Sequence, residues 1–342
     1  MNRHLGVSAL SSFDHDHFLV NRGWAHGGID AVELYAFMHR CLDKLFGPGS
    51  AANGVLRVLA QYAADSGKQV EVADAIHQHF GTKAKIVGIA SFLPEISAPE
   101  CFNSWKQAQD ALLFLVSVVS ILRDRHGHAC STLEIVSGSC ADGMWGGEDI
   151  AGDRVAVVNR LTMELAVDRL LSRLQPVAEL ALSRRVVLGV EMEPGPFFTI
   201  GDWRAIKHLC SKLDRPNMGA VGKVVGLNLD IAHWAFLDGI TVEMIKGEPS
   251  VLRRIVHAHI SDHYRGHCAD AIPTTFHSAA EYLPWIELLT KICCDADTDN
   301  QKHVERLPYS GYVSCELESE FSVENVRLAI QLVRNWVNIV SV

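Results

Sequence analysis

Residues 224–236, VVGLNLDIAHWAF, and residues 255–263, IVHAHISDH, decide how this chain is read. Each is an apolar, β-branched run of strand length that ends in groups able to bind a cation or move a proton. The first ends in Asp230 and His233, and the second carries His257, His259 and Asp262. A helical spacer lies between them. The two runs therefore read as neighbouring parallel strands joined by a crossover, which brings both polar ends to one small volume.

Working outward, short β-branched runs alternate with longer helical patterns about eight times. Residues 5–12, 29–37, 84–92, 131–139, 186–195, 224–234, 255–263 and 311–319 read as strands. Helical patterns cover 55–64, 100–125, 202–213 and 241–254, with a polar segment filling the rest of a long second connection over 39–82. Asn159 is the expected N-cap of a helix in which Leu170, Leu174, Val177 and Ala181 share a face and Pro176 makes a kink. Ser322 is the expected cap of the last helix, with Val323, Val326, Ile330, Val333 and Val337 on its apolar side. An open doubly wound sheet more often has about five to seven strands. The expectation is therefore an α/β chain, a (β/α)8 TIM barrel forming a single domain over residues 1–342, with loop insertions at 264–280 and 295–310.

Composition narrows the function. Hydrophobic residues make up 48% of the 342-residue chain, enough for a large core. The 40 acidic and 31 basic residues leave a formal charge of -9, which repels phosphate backbones and argues against nucleic acid as a partner. Nine cysteines are scattered without a CxxC pair, which suits a reducing compartment. The opening MNRHLGVSALSSF has no apolar signal segment, and the apolar run 111–122 falls short of the roughly 20 residues a bilayer needs. A cytoplasmic protein with no membrane partner is expected.

In a barrel, the C-terminal ends of the strands share one mouth. The fifth strand brings Glu191 and Glu193 there, the sixth Asp230 and His233, the seventh His257, His259 and Asp262, and the eighth Glu316 and Glu318. The first four strands end in SSF, YAF, SFLP and SGS, which offer little that titrates. Carboxylates with imidazole form a hard-to-borderline ligand set suited to Mn2+, Mg2+, Co2+ or Zn2+. A divalent cation also relieves the mutual repulsion of acids gathered in one mouth.

Five ordered motifs then stand out: GIDAVEL at 28–34, GVEMEPG at 189–195, LDIAH at 229–233, HISD at 259–262 and GYVSCE at 311–316. Together they resemble the xylose-isomerase-like superfamily of sugar isomerases and epimerases. The resemblance implies one divalent metal, Mn2+ first, held by Glu191, Asp230, His259 and Glu316. It implies that Glu191 and Glu316 also form the acid-base pair, moving a proton next to a carbonyl through an enediolate. By the same resemblance His233 and Arg265 contact substrate, and a homo-oligomer is expected by analogy. Two substrate-facing features depart from the family: Phe197 stands where the ketohexose 3-epimerases have a carboxylate, and RGHCADAIPTTF at 265–276 replaces their PGxG turn.

These departures point to a carbohydrate-like substrate larger or less polar than a free ketohexose, with Met144, Trp145, Phe197, Phe198 and Trp234 near the mouth. Asp262 either binds substrate or pairs with Arg265. Glu193 and Glu318 read as supporting or rim groups, His257 as a core histidine and Glu33 as structural inside the barrel. His267 and Asp270 would matter only in a multinuclear site, which the absence of histidines at the ends of the second and third strands disfavours. The alternative chemistry is metal-dependent lyase cleavage of a 3-oxo-glycoside or dehydration of an inosose. An endonuclease-type hydrolase and a non-catalytic binding barrel are the readings from other classes.

Overall fold

The computed structural model describes residues 4–12, 31–35, 42–80, 84–98, 100, 103–138, 141–142, 159–160, 162–194, 198–263, 271–295, 307–317 and 322–341. Eight parallel strands close into a barrel in sequential order. They are β1 (Gly6–Ser12), β2 (Ala31–Tyr35), β3 (Lys85–Ala90), β4 (Thr132–Val136), β5 (Val187–Glu191), β6 (Val225–Asp230), β7 (Ile255–Ile260) and β8 (Tyr312–Cys315). β8 pairs with β1 from Gly6↔Tyr312 to Ala9↔Cys315, which leaves no sheet edge open.

The period-2 alternation of each strand explains what lies inside. Glu33 stands between Val32 and Leu34, Glu134 between Leu133 and Ile135, and Asn228 between Leu227 and Leu229. The apolar neighbours belong to the core packed between barrel and helices. The polar residues face inward, as the contact between Glu33 on β2 and His257 on β7 across the interior shows. Near the start of β6, Gly226 lets β7 come close: a Cβ there would sit 2.5 Å from both the Arg254 carbonyl oxygen and Val256 Cγ1. Gly226→Ala should destabilise the fold by about 1–3 kcal/mol, because backbone cannot yield as a side chain does. Urea denaturation of the variant measures this.

Helices form the outer ring. α1 (Val55–Gln61) and α2 (Ser66–Phe80) fill the second connection, and α3 (Ser104–Asp124) and α4 (Met163–Arg184) the next two. α5 (Trp203–Leu213), α6 (Ala279–Asp295) and α7 (Val323–Val340) complete the set that matters here. Thr162, Asp202 and Ser322 cap α4, α5 and α7 through side-chain oxygens.

Several sequence expectations are corrected. Residues 66–80 form a helix where a polar segment was expected, because its buried face is only Gln69, Val72, Ala73, Ile76 and Phe80. Asn159 is not the cap of α4; it pairs with Asp142 in a short antiparallel ribbon, Ala141–Asp142 with Asn159–Arg160. The helix over 241–254 is two short ones, Val242–Lys246 and Pro249–Leu252, broken where Pro249 cannot donate to the preceding turn. α3 lies within the expected 100–125, and its apolar stretch extends beyond the run 111–122. It is long and apolar enough to cross a membrane, yet 67% of its apolar window is buried against the rest of the barrel.

At the opposite end of the barrel from the proposed mouth, His128 Nδ1 accepts the backbone N–H of Ile86, and His128 Nε2 lies 3.1 Å from His77 Nδ1. Burial, with the nearby charges of His77 and His126, lowers the His128 pKa to about 4. The folded state thus resists a proton that the unfolded chain takes up near pH 6.5. Stability should be full above that pH and fall as pH drops toward 4. His128→Asn should flatten that part of a stability-against-pH curve.

Candidate metal and acid-base site

The strand ends deliver four residues to one point. Ligand atoms of Glu191 (end of β5), Asp230 (end of β6), His259 (β7) and Glu316 (just after β8) all lie within 4.8 Å of one another. His259 Nδ1 is 2.9 Å from Glu316 Oε2 and 3.4 Å from Glu191 Oε1. Asp230 Oδ1 accepts the backbone N–H of His233 at 2.7 Å, which fixes its rotamer. Asp230 and His259 are fully buried, and the Glu316 side chain keeps 12% exposure.

Beneath this group lies a buried polar layer. Glu33 Oε2 accepts from His257 Nε2 at 2.8 Å and from His259 Nε2 at 3.0 Å. His257 Nδ1 meets Ser310 Oγ at 2.6 Å. Glu134 Oε2 lies 3.6 Å from His259 Nε2, and the Glu134 side chain is hydrogen-bonded to Glu191.

The electrostatics follow from crowding several acids around one imidazole. Burial alone pushes His259 down, but Glu33, Glu316 and Glu134 carry its pKa well above the ordinary histidine range. Burial pushes Glu191 up, but the hydrogen bond and charge of His259, joined by Glu134, bring it to about 2. Glu33 falls well below the carboxylate range because the two histidines outweigh its burial. Burial and the Glu191 charge drive Glu134 well above that range, so it holds its proton.

A divalent cation fits this set. His259 Nδ1 faces two carboxylates, while its Nε2 already has an acceptor in Glu33. A metal-bound imidazole has the same arrangement of partners, with its far nitrogen donating to a carboxylate. Three carboxylates and one imidazole form a hard-to-borderline donor set.

Residues 144–336 match the family model described as the xylose isomerase-like TIM barrel. The chain belongs to that family. Among solved structures, a D-tagatose 3-epimerase-like protein is 13% identical at a TM-score of 0.58, with 98% of each chain covered. The IOLI protein, solved with a bound zinc atom, is 16% identical at 0.57, covering 98% of this chain and 97% of that one. The 3-keto-D-glucoside 4-epimerase of E. coli is 11% identical at 0.53, covering 97% and 99%. At such identities these likenesses speak for the fold. No curated protein matches the chain in sequence.

On the xylose isomerase-like frame, the other residues named from sequence fall into place as follows. His233 does not stand on a strand: β6 ends at Asp230 and residues Ala232–Leu237 form a π-helical turn. Its Nδ1 is 3.1 Å from the Met192 carbonyl oxygen and 4.0 Å from Glu191 Oε1, at the edge of the group of four. Asp262 is fully buried and accepts from the backbone N–H groups of Phe276 and His277 and from the His277 ring. Its carboxylate therefore ties down the segment after β7. Trp234 is fully buried against Trp203, so it packs in the core and does not line the mouth. Met144, Trp145, Phe197, Arg265, His267, Asp270 and Glu318 lie outside the described residues.

Glu33 lies inside the barrel as expected, and the first four strands, whose ends offer little that titrates, contribute more from their middles. They send Glu33 and Glu134 to His259 from the far side of the barrel. Both are acids isolated in apolar runs, AVELY and TLEIV, a pattern that demands a buried partner. Asn228, also unnoticed in the sequence, lies between Glu191 and His259.

Proposed function

We propose that the chain is a divalent-metal-dependent isomerase or epimerase of a keto sugar, sugar derivative or cyclic polyol ketone. The observation that carries this reading is the convergence of two glutamates from separate strands on one side of a buried imidazole, with Asp230 completing the set. Glu191, Asp230, His259 and Glu316 would hold the ion. The chemistry it supplies is Lewis-acid polarisation of a carbonyl, with Mn2+ our first choice and Mg2+, Co2+ or Zn2+ compatible with the same donors.

The chain's own residues do the rest. Glu191 stays ionised and takes the proton from the carbon beside the carbonyl. Glu316, at the more open edge of the group, returns a proton to the opposite face or to the neighbouring carbon. Glu33 and Asp230 do not move protons; they fix the His259 ring and the turn that carries His233. The zinc bound in the IOLI protein, and the likeness to a D-tagatose 3-epimerase-like protein and a 3-keto-D-glucoside 4-epimerase, support this reading.

The test is to incubate the protein with Mn2+ and a panel of ketohexoses, 3-keto-glycosides and inososes in D2O. Deuterium should enter the carbon next to the carbonyl, as seen by NMR. Release of an aglycone or of water without exchange would favour the lyase chemistry of the same barrel. No reaction across the panel, together with no Mn2+ in the protein by elemental analysis, would sink both.

A further inference from the structure

The barrel interior below the four proposed ligands is filled with acids and imidazoles, and among the described residues it holds one amide, Asn228. Asn228 pairs in register with Glu191 on one side and with His257 on the other. It thus stands on the strand between those that carry Glu191 and His259. Its Nδ2 lies 3.4 Å from Glu191 Oε1 and 3.2 Å from His259 Nδ1. Its Oδ1 is buried and has no hydrogen-bond partner among the described residues.

An amide nitrogen donates twice and carries no charge. A carboxylate at this position would add to the repulsion around Glu191, and a serine hydroxyl is too short to reach both neighbours. Burying an amide here costs desolvation that an apolar residue of the same size would not. What its NH2 end gains is a fixed position for the Glu191 carboxylate, one of the groups that must meet the ion.

We infer that Asn228 is a positioning residue that holds the Glu191 carboxylate in place for a divalent cation. This rests on the metal-dependent reading of the site. It assigns to Asn228 no contact with substrate and no part in proton transfer.

The experiment titrates metal-free protein with MnCl2 by calorimetry for the wild type, Asn228→Leu and Asn228→Ala, and records the thermal unfolding of each metal-free form. Leu keeps roughly the side-chain volume, while Ala removes the same donor without bulk, so a folding failure in one leaves the other. Loss of an outer partner of a metal ligand costs roughly 10–100-fold in affinity. The expected result is Mn2+ binding weakened on that scale, with the melting temperature of at least one folded variant at or above that of the wild type. Unchanged affinity in the folded variants overturns the inference. So does a fall in melting temperature alongside the loss of affinity in both, which would mark Asn228 as structural. A wild type that takes up no Mn2+ overturns the proposed function as well, and that failure is seen before any variant is compared.

Discussion

Glu191→Gln should slow deuterium exchange at the substrate carbon by roughly 10²- to 10⁴-fold, the usual contribution of one positioned acid-base group. The substitution is nearly isosteric but removes the charge of one proposed ligand, so Mn2+ affinity should fall at least as far as the roughly 10–100-fold an outer partner is worth, and exchange is compared at saturating Mn2+. Glu191 is assigned the proton-taking role because it lies deeper in the group, its side chain 5% exposed against 12% for Glu316, so that Glu316 faces the open edge. Glu316→Gln should also slow exchange, but from the side that returns the proton. Single-turnover exchange measured for both variants would separate the roles, and retention of more than about a tenth of the wild-type rate by Glu191→Gln would remove it from the mechanism.

Glu33→Leu should be the most damaging single change to the fold. The carboxylate is fully buried and accepts from two imidazoles at once, with the His257 and His259 contacts at 2.8 and 3.0 Å. Removing it leaves two buried ring nitrogens without their acceptor, and breaking a buried pair of this kind costs about 3–5 kcal/mol. Glu33→Gln keeps one carbonyl acceptor and should cost less. Urea denaturation of the metal-free proteins gives the comparison; a loss below about 1 kcal/mol for Leu would mean that the two histidines find other partners.

The sequence exposed the parts of the molecule where two signals coincide. The runs ending in LDIAH and HISD are apolar, of strand length and tipped with ligand-type groups, and β6 and β7 stand where those runs are. Ser322 was legible as a cap because its hydroxyl precedes a clean apolar stripe. Where only one signal existed, the reading failed. α2 has an apolar face diluted by Gln69 and interrupted by Lys68, His77 and His79, so its period was lost. Asn159 has the chemistry of a cap, but the ribbon with Asp142 claims its backbone first. Glu33 was legible as a group inside the barrel, but its partners, and Glu134 altogether, were hidden for a different reason: a charged residue in mid-strand declares that it needs a partner, but the partner sits across the barrel, and only closure of the sheet reveals it. His233 moved from strand to π-helical turn because one extra residue per turn carries no mark in composition.

The ribbon itself has a practical consequence. Because Ala141–Asp142 and Asn159–Arg160 run side by side, the chain positions on either side of residues 143–158 are held together by backbone pairing. None of the four ligand-bearing strand ends lies between them in sequence. Laboratory chimeras that swap 143–158 between relatives would have a natural place to cut.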